Sequence, residues 1–114
     1  MKTKELLEAT CPECRGPLSE VRETTEMPGL RQYKCLVGHV YSARTLLQGH
    51  SEAQEKALWS AVVALEESAV LAEKVASQLP REVARRVRMQ ASVKVSQAAE
   101  IRKILERLEP FQTD

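Results

Sequence analysis

Apolar residues in the second half of the chain recur in alternating steps of four and three: Leu58, Val62, Leu65, Ala69, Ala72, Ala76 and Leu79. This heptad rhythm lays one apolar seam along one side of a helix. It predicts a long helix from Glu52 to about Leu79, opened by the capping box Ser51-Glu52-Ala53-Gln54. Pro80 ends that helix and suits the first turn of another. A second seam runs through Ala84, Val87, Ala91, Lys94, Ala98, Ile101, Leu105 and Leu108. It predicts a helix from about Arg81 to Leu108, closed by Pro110, with Lys94 its one polar interruption. So short a connection makes the two helices antiparallel neighbours. Their alanine-rich seams let the backbones approach closely. Trp59, Val63 and Val70 form a second stripe beside the first seam.

The first half follows a different pattern. Leu18 to Thr25 and Leu30 to Leu36 carry β-branched, aliphatic and aromatic residues, and Pro28-Gly29 between them is a type II turn signal. These segments predict a β-hairpin. Ser42 reads as an N-cap, and Ala43 to Gln48 as a short helix stopped by Gly49, with Leu46 and Leu47 seating it on the hairpin. Met1 to Thr10 reads as another short helix, with a weak apolar side of Leu6, Leu7 and Ala9.

The chemistry of the chain lies at the ends of the hairpin. Cys11 and Cys14 are spaced to present both sulfurs to one ion, and Cys35 and His39 repeat that opportunity after the hairpin. Together they form a Cys₃His set of the kind that binds structural zinc. Thiolates and an imidazole suit Zn²⁺, which needs only four good donors. Gly16 and Gly38 can take positive φ in the two ligand loops, and Pro12 stiffens the first. Competing readings are a redox disulfide between Cys11 and Cys14, buried thiols beside a surface histidine, and iron in place of zinc. A redox pair normally accompanies a βαβ pattern, which is not visible here. Iron more often takes an all-cysteine set. His50 falls outside the pattern and reads as solvated. The expected architecture is a small α+β fold: a zinc ribbon with two metal knuckles and short flanking helices over residues 1–49, then a long antiparallel helical hairpin over 50–114.

Composition narrows the function. The 114 residues suffice for one domain, or a small module with a helical appendage. A formal net charge of +1 gives no global attraction to nucleic acid or membrane. Three cysteines cannot all pair within one chain, so reduced thiols in the cytoplasm are expected. The first ten residues lack the apolar run of a signal peptide, and no stretch is long enough to span a bilayer. Charge is uneven between the helices, with acids prominent on the first and arginines on the second, which favours their pairing modestly. The cluster from Arg81 to Lys94 reads as a solvated flank in preference to a phosphate-binding face, because the ribbon lacks an accompanying basic-aromatic surface.

Cys11-Pro-Glu-Cys14-Arg-Gly-Pro-Leu18, Tyr33-Lys-Cys35-Leu-Val-Gly-His39-Val-Tyr-Ser42, Ala57-Leu-Trp-Ser-Ala61 and Ala64-Leu-Glu-Glu67 occur in that order. From about Thr10 to Leu79 the chain resembles the zinc-ribbon and helical tail at the C-terminus of some chemotaxis methylesterases of the CheB type. The esterase unit of that family is a longer α/β domain with a Ser-His-Asp site, and no GxSxG-like elbow is present here. The resemblance therefore implies a free-standing relative of the accessory module in a sensory or signalling context, without methylesterase activity. The basic second helix departs from it. The expected function is a non-catalytic zinc module that self-associates as a homodimer or binds a helical protein partner. The alternative is a nucleic-acid-binding zinc ribbon using helix 81–94. Neither a membrane nor a small-molecule substrate is expected. An enzyme is disfavoured because four protein ligands leave zinc no open position.

Overall fold

A computed structural model describes residues 2–23 and 31–113 of the chain. Four strands, β1 (Lys2–Thr10), β2 (Pro17–Glu23), β3 (Arg31–Cys35) and β4 (Val40–Tyr41), form one antiparallel sheet in the order β1-β2-β3-β4. The expected pairing of the two central segments is present, with Leu18 opposite Cys35 and Glu20 opposite Tyr33. The Pro28-Gly29 turn lies outside the described residues.

Segment 2–10 is a strand and not the short helix that its composition suggests. Leu6 pairs with Ser19 and Glu5 with Glu20, so β1 completes the ladder of β2. Tertiary pairing overrides the weak helical preference of Lys, Glu, Leu and Ala there. Opposed residues share a face of a sheet. On one face Leu18, Cys35 and Tyr41 join Cys11 in a small buried core, with Leu7, Tyr33 and Leu46 packed against it. On the other face Leu6 and Val40, at the two edges, remain half to mostly exposed. Glu20 is buried, and its Oε1 lies 3.4 Å from Arg31 Nε and 3.5 Å from Arg22 Nε, so its charge is compensated.

Helix α1 spans Ala43–Ala76 without a break. Ser42 does cap it: Ser42 Oγ accepts the Thr45 N–H at 3.2 Å, and Thr45 Oγ1 accepts the Ser42 N–H at 2.9 Å. The separate short helix ending at Gly49 and the new start at Ser51 are not found. Glycine inside a helix costs only about 1 kcal/mol relative to alanine, too little to end one that continues favourably on both sides. Gly49 serves packing instead, since a Cβ there would stand 3.0 Å from Cγ of Pro12. Ser51 and Gln54 are ordinary helical positions.

Helix α2 spans Arg81–Arg107, and Pro80 is its N-cap, accepting the Ala84 N–H at 2.8 Å. The chain divides into two compact units, one of residues 1–53 with 109–114 and one of residues 54–108. Within the second unit α1 and α2 form the expected helical hairpin. Glu73 accepts from Arg88 at 3.0 Å, Glu66 accepts from Arg102 at 3.0 Å, and the Arg102 guanidinium lies 5.5 Å from the Trp59 ring centroid. Val62, Ala76, Ala84 and Ala98 are buried along the seam, whereas Lys94 is exposed. No helix among the described residues is long and apolar enough to cross a membrane.

Three alanines, Ala76, Ala84 and Ala98, are buried in the seam. Ala98 retains 1% of its exposure. Ala98→Leu is expected to lower unfolding stability by about 1–3 kcal/mol through overpacking, and Ala57→Leu on the exposed side of α1 by no more than about 0.5 kcal/mol. Urea midpoints of the two variants check this; equal midpoints would show that the seam is not closely packed.

Candidate metal centre

Two loops carry the four donor side chains. In the first, between β1 and β2, the Cys11 N–H donates to the Gly16 carbonyl at 2.7 Å and the Arg15 N–H to the Cys11 carbonyl at 2.8 Å. The left-handed residue of this loop is Arg15, with φ 64°, and not Gly16. Gly16 contributes its N–H, which donates to Cys14 Sγ at 3.4 Å; a Cβ there would come within 3.3 Å of the same sulfur. In the second loop, between β3 and β4, Gly38 takes φ 104° as expected. The Cys35 N–H donates to the His39 carbonyl at 3.1 Å, and the His39 N–H donates to Cys35 Sγ at 3.3 Å. Both loops thus turn backbone N–H groups toward a sulfur, an arrangement that favours thiolate.

These loops bring Cys11, Cys14, Cys35 and His39 together, with all four donor atoms within 4.8 Å of one another. They are close enough to hold one metal ion. Cys14 Sγ is 3.7 Å from Cys35 Sγ, and His39 Nδ1 is 3.6 Å from Cys11 Sγ and 3.3 Å from Cys35 Sγ. Cys11 and Cys35 are buried, while Cys14 is exposed. His50 lies in α1 outside the cluster, as the spacing implied.

The electrostatics agree with an anion-rich cluster. Burial alone pushes the Cys11 thiol up, but the Tyr41 hydroxyl and the N–H groups of Cys14 and Glu13 outweigh it and bring the pKa to about 6. Burial pushes Cys35 the same way, and the N–H groups of His39 and Val37 carry it below its usual value. The Gly16 N–H pulls Cys14 down, but partial burial and the neighbouring Cys11 and Cys35 sulfurs raise it on balance. His39 is raised by its hydrogen bonds to Cys11 and then Cys35.

Two further residues were not evident from spacing. Glu13, between the first two cysteines, bridges the cluster's rim. Its Oε2 lies 3.2 Å from His39 Nε2, and its Oε1 accepts the Tyr41 hydroxyl at 2.8 Å. That hydroxyl also lies 3.2 Å from Cys11 Sγ. When a metal takes the place of the proton on Nδ1, the Nε2–H is left to donate to Glu13, so the carboxylate would hold the ring in the orientation and tautomer that a metal ligand needs. The sequence signal for Tyr41 is its place two residues after His39 on an extended segment, which returns it to the same side. Compared with known proteins, the chain matches no family model, no curated protein and no solved structure.

Proposed function

We propose that the chain is a zinc-binding, non-catalytic interaction module, in which Cys11, Cys14, Cys35 and His39 hold one Zn²⁺ in a zinc ribbon. One observation carries this reading: the edge lengths of the donor cluster. Zn–S bonds of about 2.3 Å and Zn–N bonds of about 2.0–2.1 Å in a tetrahedron require S···S near 3.8 Å and S···N near 3.6 Å. The cluster offers 3.7 Å for Cys14 to Cys35, and 3.6 and 3.3 Å from His39 Nδ1 to two sulfurs. Three thiolates and one imidazole favour zinc over harder divalent ions. A closed set of four protein donors leaves no position for substrate, which is the ground for a structural role.

The helical hairpin supplies the interaction surface, for a second copy or for a partner's helix. Trp59, Val63 and Val70 keep 43%, 49% and 70% of their exposure on one stripe of α1, and exposed apolar stripes of this kind mark interfaces. The sensory setting rests on the resemblance to the CheB-type tail alone, and the cytoplasmic location on the reduced thiols. Nucleic-acid binding through helix 81–94 is less well supported, because Arg85 is paired with Glu82 and Arg88 with Glu73. Elemental analysis of protein purified without chelator tests the reading. One zinc per chain is expected, and metal-free protein would overturn it.

A further inference from the structure

The hairpin carries its charges and apolar side chains in an order that selects one way of meeting itself. Trp59, Val63, Glu66, Val70 and Glu73 follow one another at steps of four, three, four and three, so they share one side of α1. Arg88, Val95 and Arg102 share one side of α2 by the same spacing. The Glu73–Arg88 and Glu66–Arg102 ion pairs, with Arg102 over Trp59, place both stripes on the same side of the hairpin. On this side α1 presents Glu66 and Glu73, α2 presents Arg88 and Arg102, and valines lie between them, Val95 with 52% exposure, while Lys56 and Glu106 carry the opposite signs at the Trp59 end. The asymmetry extends to the whole helices: from Gln54 onward α1 has four glutamates against two lysines, and α2 has eight arginines and lysines against three glutamates.

From this arrangement we infer that the Trp59 side of the hairpin docks on a second copy about a two-fold axis parallel to the helices, so that α1 of each copy lies over α2 of the other. The inference rests on the interaction-module reading above and adds the partner and the geometry. A face-to-face pair of hairpins has two possible dyads. With the dyad parallel to the helices, each acidic stripe meets a basic one and valine meets valine. With the dyad across them, α1 lies on α1 and α2 on α2, and like charges oppose one another, which suppresses that pairing. The size is adequate. Helices of about 23 residues rise roughly 35 Å, and two side by side span about 20 Å, giving about 700 Å² on each copy. A standard stable interface uses about 800 Å² per partner. The other side of the hairpin exposes Leu71, Val75, Val93 and Ile104, and among the described residues the two ion pairs that join the helices lie on the Trp59 side.

A charge swap tests the arrangement. The variant Glu66→Arg, Glu73→Arg, Arg88→Glu, Arg102→Glu keeps both ion pairs within the hairpin but exchanges the signs of the two stripes. Wild type and swap variant are each expected to be dimeric by sedimentation at tens of micromolar. After mixing and equilibration, native mass spectrometry is expected to find only the two homodimers, since a mixed pair would set base on base and acid on acid. Free exchange into mixed dimers would show that another face is used, and a preference for mixed dimers would show α1 lying on α1; either overturns the inference. Val70→Lys, at a position already exposed in the hairpin, is expected to weaken the dimer at least tenfold with unchanged helical circular dichroism, so the test does not depend on the swap variant folding. A zinc-loaded wild-type monomer at these concentrations would overturn the dimer while leaving the zinc module and a foreign helical partner intact. Absence of zinc would strike the parent reading instead.

Discussion

Replacing Cys14 with serine is expected to empty the metal site and unfold the sheet while the helical hairpin stays folded. The sheet's own core is very small: Leu18 and Cys11 are its only fully buried side chains of any size among the described residues. A core of this extent does not stabilise an isolated module without a staple. In small metal modules the free energy of binding, about 10–16 kcal/mol for structural zinc, is also free energy of folding. Cys14 is the informative position because it is exposed. Serine there removes a ligand without opening a cavity, so unfolding cannot be blamed on lost packing. The hairpin has a separate seam built on Val62, Ala76, Ala84 and Ala98. Hydrogen exchange followed by mass spectrometry should show residues 2–23 and 31–41 losing protection and residues 54–107 retaining it. A protected sheet in Cys14→Ser would mean that the metal is dispensable to the fold.

Acid should have an effect of similar size. Zinc requires three thiolates and a neutral imidazole, so each proton that binds competes with the metal. Cys11, lowered to about 6, holds the thiolate form at neutral pH, and Cys35 is shifted in the same direction. The Cys11 contribution to stability is therefore present above the unfolded thiol range and is lost as the pH falls through about 6, and the Cys35 contribution is lost in the same direction. His39 is shifted the other way, upward. In the metal-free chain its protonated form stabilises the cluster at low pH and that contribution fades as the pH rises, but the same proton excludes it from the metal. Once all four donors compete with protons, affinity falls by up to about 10⁴ per pH unit. Zinc release monitored with a chromogenic chelator should therefore be steep below about pH 6 and should coincide with loss of the sheet. A shallow release with a slope of one proton would indicate that most of the four groups are not ligands.

Much of this was legible in the sequence, for identifiable reasons. Ligand spacing is local chemistry, so Cys11, Cys14, Cys35 and His39 could be grouped before their distances were known. The helical seams were legible because a heptad pattern repeats over many turns, and α2 begins at Arg81 as Pro80 implied. Segment 2–10 was misread because Leu6 and Leu7 are adjacent and fit neither period well. Its state is decided by pairing with Pro17–Glu23, which no local pattern reveals. Gly49 was misread because a glycine can end a helix or admit a neighbour, and only the position of Pro12 separates the two. The left-handed turn at Arg15 was assigned to Gly16 for a related reason, the general preference of glycine for positive φ. Glu13 escaped notice because its partners, His39 and Tyr41, are remote in sequence.

The most direct test of the metal centre is X-ray absorption at the zinc edge on protein purified without added metal or chelator. The expected result is a zinc edge whose first shell fits three sulfurs at about 2.3 Å and one nitrogen at about 2.0–2.1 Å, with no bound water. His39→Ala should then exchange the nitrogen for a solvent oxygen and leave the sulfur count unchanged. A first shell of nitrogen and oxygen only, or no zinc edge at all, would contradict it.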